Sequence, residues 1–361
     1  MFIKFTKIWF LLSGLAVGAA ILLLTTLGLN LGIDFTGGSL LEVRFAAPVE
    51  TKQIAEVLKA TDLDLANTVV TPTDAGTQLL RLRYLTEAER EKLTQLLEQQ
   101  IGSFTTEQFT AIGPTIGQNL RERAFRALTY AAIAIVLYLA ATFRNPRQVN
   151  LLKYWLMGGL LAALAIILET IIAEAFPKLL TFLGLVATFG IFLVFEIRSK
   201  SPSLKFGLCA IVALAHDLLF TLGFLSLLGL FTGAEINSLT VTALLAIMGF
   251  SVNDTIVVFD RLRENLKFQK NSETLAEIGE KSLHQTLARS INTSVSTLLV
   301  LFLLLLFGAE SIQNFVLTLS VGLTVGTYSS IFLATPLLIW WEMRQQKEGV
   351  ARVGVGPGEP L

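Results

Sequence analysis

The chain has 361 residues, 53% hydrophobic and 16% charged, with a mean hydropathy of +0.65. A soluble domain carries about 25% charged residues, so this composition excludes an ordinary soluble protein and points to an integral membrane protein whose main partner is the lipid bilayer. Lys plus Arg and Asp plus Glu number 28 each, leaving no polybasic footprint for nucleic acid. The single cysteine, Cys209, excludes an intrachain disulfide framework. The two histidines, His216 and His284, are too few for a metal cluster. No phosphate-binding loop, H-E-x-x-H, G-x-S-x-G or G-x-G-x-x-G pattern is present. No enzyme chemistry, cofactor or metal is therefore expected, and nucleotide hydrolysis on this chain is not expected to power it.

A short basic start (Lys4, Lys7) leads into Ile8–Leu29, an apolar run of about 22 residues that is long enough to cross about 30 Å of hydrocarbon. A signal-peptide core is shorter, about 7–15 residues, so residues 1–31 are expected to hold a retained first span. The one long polar region follows at residues 32–123. Leu40–Phe45 reads as a strand, and Thr51–Ala60 as a helix with Ile54, Val57 and Leu58 on one face. Asn67–Thr71 and Gln78–Tyr84 read as strands. Thr86 and Glu89 form a capping box before Leu93, Leu96 and Leu97, and Phe104–Ile112 closes the series. The order βαββαβ predicts a ferredoxin-like α+β domain.

Further spans are expected at Ala124–Phe143, Leu152–Ala175, Leu179–Ile197, Lys205–Phe231, Leu239–Asp260, Ile291–Phe307 and Phe315–Trp341. The fold class is thus a polytopic α-helical membrane protein of about eight transmembrane helices with one external α+β domain. Its divisions are 1–31, 32–123, 124–149, an extra helix pair at 150–204, a core at 205–342 with a cytoplasmic loop at 261–288, and a tail at 343–361. Basic residues set the orientation: Arg144, Arg147 and Lys153, then Arg198, Lys200 and Lys205, then Arg261, Arg263, Lys267, Lys270 and Lys281 fall on one side, with Lys178 alone in the short connections opposite. This asymmetry places the N-terminus in the cytoplasm and residues 32–123 outside it. Leu266–Ala288 reads as an amphipathic interfacial helix, and Gly14/Gly18 and Gly322/Gly326 as G-x-x-x-G pairs that permit close helix approach.

Charged groups at membrane depth are costly and are functional candidates by default. Asp217 lies about 18 Å into its span and Asp254 about 10 Å from the cytoplasmic edge, at 1.5 Å per residue. Asn253 precedes Asp254. Arg289 opens the next span, and Thr293, Ser296 and Thr297 follow it as a polar stripe that is expected to face Asp254. A carboxylate answered by an arginine serves equally as a proton or cation relay and as a fixed ion pair that locks helix packing. His216, beside Asp217, is either a relay member or a packing residue.

The motifs GIDFTGG (Gly32–Gly38), GPTIG (Gly113–Gly117), Ala215-His216-Asp217, Asn253-Asp254-Thr255 through Asp260-Arg261-Leu262-Arg263-Glu264-Asn265, Arg289 with Thr293-Ser294, and Gly326-Thr327-Tyr328-Ser329-Ser330 occur in that order. Together they resemble the SecF family of the bacterial Sec export machinery, within the resistance–nodulation–division superfamily. The resemblance implies an accessory translocase subunit in the bacterial cytoplasmic membrane. It would pair with SecD, work beside the SecYEG channel and act on unfolded preproteins at the expense of the proton-motive force. Asp254, Arg289 and Asp217 would then lie on the proton path. Gly37, Gly38, Gly113 and Pro114 would be structural motif residues at the two ends of the external domain. The chain departs from that pattern in the extra helix pair near Asn150–Lys200, which contains Glu169, Glu174 and Gly158-Gly159, and in Phe250 and Ser290, where the family often has Tyr and Thr. A small-molecule exporter of the same superfamily and a non-transporting scaffold are the competing readings.

Overall fold

The computed structural model describes residues 2–65, 68–73, 76–143, 203–269 and 272–353. The expected helix pair near Asn150–Lys200 lies outside the described residues. The chain divides into two units, one comprising Met1–Leu29, Ala127–Ala234 and Thr242–Leu361, the other Asn30–Arg126 and Glu235–Val241.

The second unit holds a four-stranded antiparallel sheet. Its strands are β1 (Gly38–Phe45), β2 (Val69–Pro72), β3 (Gln78–Leu82) and β4 (Phe104–Ile112), in the spatial order β2-β3-β1-β4. Leu41 pairs with Leu80 on one side and with Phe109 on the other. Alternation sends Leu41 and Val43 of β1, with Leu80 and Leu82 of β3, into one core. Two helices, Thr51–Lys59 and Glu87–Gln100, bring Ile54 with Leu58 and Leu93 with Leu97 to the same core at a spacing of four. Each such fully buried side chain contributes about 1.5–3 kcal/mol. The longer helix begins at the expected capping box: Thr86 accepts from the Glu89 N–H while Glu89 accepts from the Thr86 N–H.

Glycine joins the two ends of this unit. Gly37 and Gly38 have φ of 73° and 141°, in the region that favours glycine. A Cβ on Gly37 would lie 2.8 Å from Pro114 Cα, and one on Gly117 would lie 2.7 Å from Gly37 N. Of the expected motif residues, Gly37 and Pro114 therefore meet in one tight contact, while a Cβ on Gly38 would lie 2.8 Å from the Leu82 carbonyl oxygen. Gly113 has open space around its Cα and contributes its carbonyl to the Gly117 N–H at 3.0 Å. The unit also takes in Glu235–Val241, a segment that runs from the connection between two expected spans into the start of the span expected at Leu239–Asp260. Gly32 N–H donates to the Ile236 carbonyl (2.9 Å), Ile236 N–H to the Asn30 carbonyl (2.8 Å), and Ser238 N–H to Asp34 Oδ2 (2.8 Å); Arg81 pairs with Glu235.

The first unit is helical. In chain order its helices are α1 (Thr6–Thr26), α4 (Pro114–Thr142), α5 (Ser203–Thr232), α6 (Ser238–Lys267), α7 (Leu275–Phe307), α8 (Glu310–Ser329) and α9 (Thr335–Val353); α2 and α3 are the two helices beside the sheet, and the first residues of α4 and α6 belong to the sheet unit. Among the described residues, five helical stretches are long and apolar enough to cross a membrane: Ile3–Thr26, Lys205–Thr232, Ser238–Lys267, Leu275–Phe307 and Ser311–Arg344. The expected second span falls in α4.

Two local expectations are corrected. Leu266–Ala288 is not a separate interfacial helix, because α6 continues to Lys267 and α7 begins at Leu275 behind a second capping box, Thr274 with Glu277. No proline interrupts α7, so its polar first turns and its apolar body form one rod. Gly279, its one glycine, is where Ile339 crosses: a Cβ would meet Ile339 Cγ1 at 2.9 Å. The second correction concerns α1. Gly14 and Gly18 meet nothing within 4 Å among the described residues, and α1 packs on α5 through Ala20 against Gly223, where a Cβ would come within 2.5 Å. Gly322 and Gly326 do serve close approach, to Ile247 and Ser251 of α6.

Candidate functional site

The polar interior of the helical unit forms where α5, α6, α7 and α8 meet. Asp217 on α5 is completely buried. Its Oδ1 is 2.9 Å from His216 Nδ1, and its Oδ2 accepts from Ser251 Oγ on α6 (2.6 Å) and from Ser329 Oγ on α8 (2.7 Å). Three donors from three helices therefore hold one carboxylate. Gly326 makes this convergence possible: a Cβ there would lie 3.1 Å from Ser251 Cβ and 3.5 Å from Asp217 Oδ2.

Asp254 lies three residues beyond Ser251 on α6 and is buried to 6% exposure. Ser290 of α7 and Ser330, just after α8, stand beside it. Its surroundings are less complete than those of Asp217. Among the described residues, Asp254 Oδ2 and Ser290 Oγ have no hydrogen-bond partner, and neither has His216 Nε2. Leaving such atoms unpaired costs about 1–3 kcal/mol each, so they mark a place where polar groups are kept for a reason other than stability. Hydroxyls continue the network. Thr255 Oγ1 and Ser330 Oγ are 2.9 Å apart, Ser294 of α7 is 2.5 Å from Thr327 of α8, and Tyr328 OH is 3.3 Å from Ser13 of α1. The Tyr328 ring lies 6.1 Å from the His216 ring, centroid to centroid.

Arg289 does not pair with Asp254 as the sequence reading expected. Arg289, Thr293 and Ser296 are exposed on α7 and Thr297 is half-exposed, whereas Ser290 and Ser294 are the buried residues of that stretch. The physical reason is helical phase. Arg289 and Ser290 are neighbours about 100° apart on the helix, and the face that packs inward is the one bearing Ser282, Thr286, Ser290, Ser294 and Leu301. The i, i+4, i+7, i+8 stripe is real as a stripe, but it points away from Asp254. Thr293 and Thr297 instead bond along their own helix, to the carbonyls of Arg289 (2.8 Å) and Thr293 (3.1 Å). Asn253 is likewise exposed. At the charged end of α6 Arg261 pairs with Glu264 at 2.7 Å, and Asn265 bridges to Ser282 Oγ (2.8 Å) and Gln285 Oε1 (2.9 Å) of α7.

The hydroxyls of the site are the residues to which sequence assigned no role: Thr255, Ser329 and Ser330 stand in the motifs quoted above without one, and Ser251 stands outside them. One signal was available. Ser251 and Asp254 are separated by three, so both fall on the same helical face.

Comparison with known proteins follows this geometry. The protein export membrane protein SecD/SecF C-terminal family model matches residues 92–170 and 162–344, and the SecD/SecF GG motif matches residues 22–49. A protein translocase subunit SecF of Thermobaculum terrenum is 33% identical over 94% of this chain and 93% of its own length. Its counterpart in Anaerolinea thermophila is 32% identical over 93% and 92%. Among solved structures, SecDF from Thermus thermophilus, a translocon-associated membrane protein, superposes with a TM-score of 0.66 at 28% identity over 95% of this chain. The chain covers 38% of that SecDF chain. With family models matched over most of the chain and relatives matched nearly end to end, the chain belongs to the SecF subunits of the protein translocase.

Proposed function

We propose that this SecF-family chain couples the proton-motive force to the export of unfolded preproteins, as a partner of SecD beside the SecYEG channel in the bacterial cytoplasmic membrane. The observation that carries this reading is Asp254: a buried membrane carboxylate with one oxygen unpartnered among the described residues, one helical turn along α6 from Ser251, which bonds a second buried carboxylate, Asp217. Asp254 is the group that takes up and releases the proton. Asp217, His216, Ser251 and Ser329 hold the helices around it.

Arg289 has a different role from that of a direct counter-ion to Asp254. With Asn253, Thr293 and Ser296 it forms exposed polar surface on α6 and α7. Such groups are costly against lipid, which favours a partner's membrane helices covering this face; SecD is the partner proposed. The order β2-β3-β1-β4 with all neighbours antiparallel supports a ferredoxin-like external domain. The proposed topology keeps eight spans, a cytoplasmic N-terminus and residues 32–123 outside.

The test is export into vesicles of the complete translocase, energised first by an imposed pH gradient and then by a sodium gradient, with wild type and Asp254→Asn. The reading expects proton-driven export in wild type and none in the variant at normal protein level. Undiminished proton-driven export in the variant rejects it. Export that follows sodium alone assigns the same carboxylate to a different ion.

A further inference from the structure

Between α8 and α9 the backbone winds as a π-helix over Ser330–Ala334. π turns are rare, and the wider turn must be held in place by its surroundings. Here Thr335 Oγ1 donates to the Ser330 carbonyl five residues back, at 3.0 Å. Ser330, Ile331, Leu333 and Ala334 are buried.

The two serines at its leading edge address different carboxylates. Ser329 Oγ is 2.7 Å from Asp217 Oδ2 and 3.1 Å from the Gly326 carbonyl. Ser330 Oγ is 2.9 Å from that same carbonyl and stands beside Asp254. The Ser330 N–H also donates to Gly326 O. A hydroxyl has one proton to give, so Ser329 chooses between Asp217 and the shared carbonyl, and Ser330, whose Oγ is also 2.9 Å from Thr255 Oγ1, chooses among that hydroxyl, the carbonyl and the neighbouring Asp254. The titratable groups facing this cluster, among the described residues, are His216 and Asp217 on α5, Asp254 on α6 and Tyr328 on α8.

We propose that Ser329 and Ser330 are positioning residues that make the π turn a register switch, with Ser329–Asp217 as its fixed pivot and Ser330 as the contact that answers Asp254. This rests on the proton reading of Asp254. An ionised acceptor holds a hydroxyl about twice as strongly as a neutral carbonyl does. When Asp254 is ionised it draws the Ser330 proton away from Gly326. When Asp254 is neutral the proton returns to the Gly326 carbonyl, in the back-bonding pattern that bends helices. The turn changes its hydrogen bonding while Ser329 keeps α8 in place. Phe332, inside the turn, transmits the change: its ring centroid is 4.4 Å from Trp9 of α1 and 5.2 Å from Tyr328.

Two readouts separate this from a merely structural role. In translocase vesicles under an imposed pH gradient, Ser330→Ala displaces the pH midpoint of export by about one unit, the size expected when one hydrogen bond to a charged group is removed, and Ser330→Thr restores it. In the wild-type complex, hydrogen exchange at the backbone amides of residues 331–335 changes with pH, and in Asp254→Asn it does not. A wild-type midpoint in Ser330→Ala, or pH-independent exchange across this segment in wild type, overturns the proposal. If Asp254→Asn still exports on the pH gradient, the proton reading itself has failed; if Asp254→Asn is inactive and the serine variant is indistinguishable from wild type, only the switch has failed.

Discussion

Asp217 and Asp254 are both carboxylates inside the same helical unit, yet they are held in opposite ways. Asp217 has three donors from three helices within 2.9 Å. Asp254 keeps an oxygen without a partner among the described residues, beside a serine hydroxyl in the same condition. A fully bonded buried carboxylate is a structural fixture, because changing its charge disrupts every donor at once. An incompletely bonded one has room to change its charge or its partner. The difference is the basis on which framework is proposed for Asp217 and proton exchange for Asp254.

The sharpest way to break that assignment is a matched pair of substitutions. Asp254→Asn is expected to abolish gradient-driven export while leaving thermal unfolding of the purified protein close to wild type. Asp217→Leu is expected to do the reverse in kind: it strands His216, Ser251 and Ser329, at a cost of roughly 3 kcal/mol, seen as a lower unfolding temperature and reduced protein level. Equal unfolding temperatures for the two variants would erase the distinction between the sites.

A smaller effect is expected at Gly326. Its added methyl in Gly326→Ala would sit 3.1 Å from Ser251 Cβ and press α8 away from α6, at about 1–3 kcal/mol. Gly14→Ala, with open space around it among the described residues, should leave the unfolding temperature of the purified chain unchanged or slightly raised. A matching loss at Gly14 would mean that α1 is packed more closely than described.

The smallest expected effect comes from a third carboxylate, which sharpens the comparison by changing only the solvent. Glu89 also has three donors, Arg83 Nη2, Thr86 N–H and Thr86 Oγ1. It lies at the surface of the sheet unit, and the Arg83 bond, followed by the two from Thr86, pulls its carboxyl down to about 2. Because the folded value is depressed, the stabilisation is present above the ordinary value of 4.5 and is lost as pH falls from there through about 2. Water screens such a surface cluster. Acid titration of thermal stability should therefore show a shallow loss in that window, and Glu89→Gln should flatten it. An unchanged acid limb in Glu89→Gln would show that those three bonds add nothing.

Much of this architecture was legible in one dimension. The strands and helices of the sheet unit follow period-two and period-four patterns in Leu41, Val43, Leu80, Leu82, Ile54, Leu58, Leu93 and Leu97, and the Thr86–Glu89 cap is a local motif. The buried acids announced themselves because charge is conspicuous in an apolar run. The place of Arg289 was not legible, because its spacing defines a face without saying which neighbour that face meets. The segment Glu235–Val241 could not be assigned to the sheet unit, since its bonds to Asn30, Gly32 and Asp34 are made by residues about 200 positions away.

From sequence alone came the membrane character, the element order of the sheet unit and the identity of the costly charges, since all three depend on composition and on neighbours along the chain. Tertiary structure decided that Arg289 faces outward, that serines rather than an arginine attend Asp217 and Asp254, and that the turn between α8 and α9 is a π-helix. The physical reason is that hydrogen bonds between helices depend on the rotational phase of each rod against the others. That phase is settled by contacts such as Gly326 against Ser251 and Gly279 against Ile339, which link distant parts of the chain.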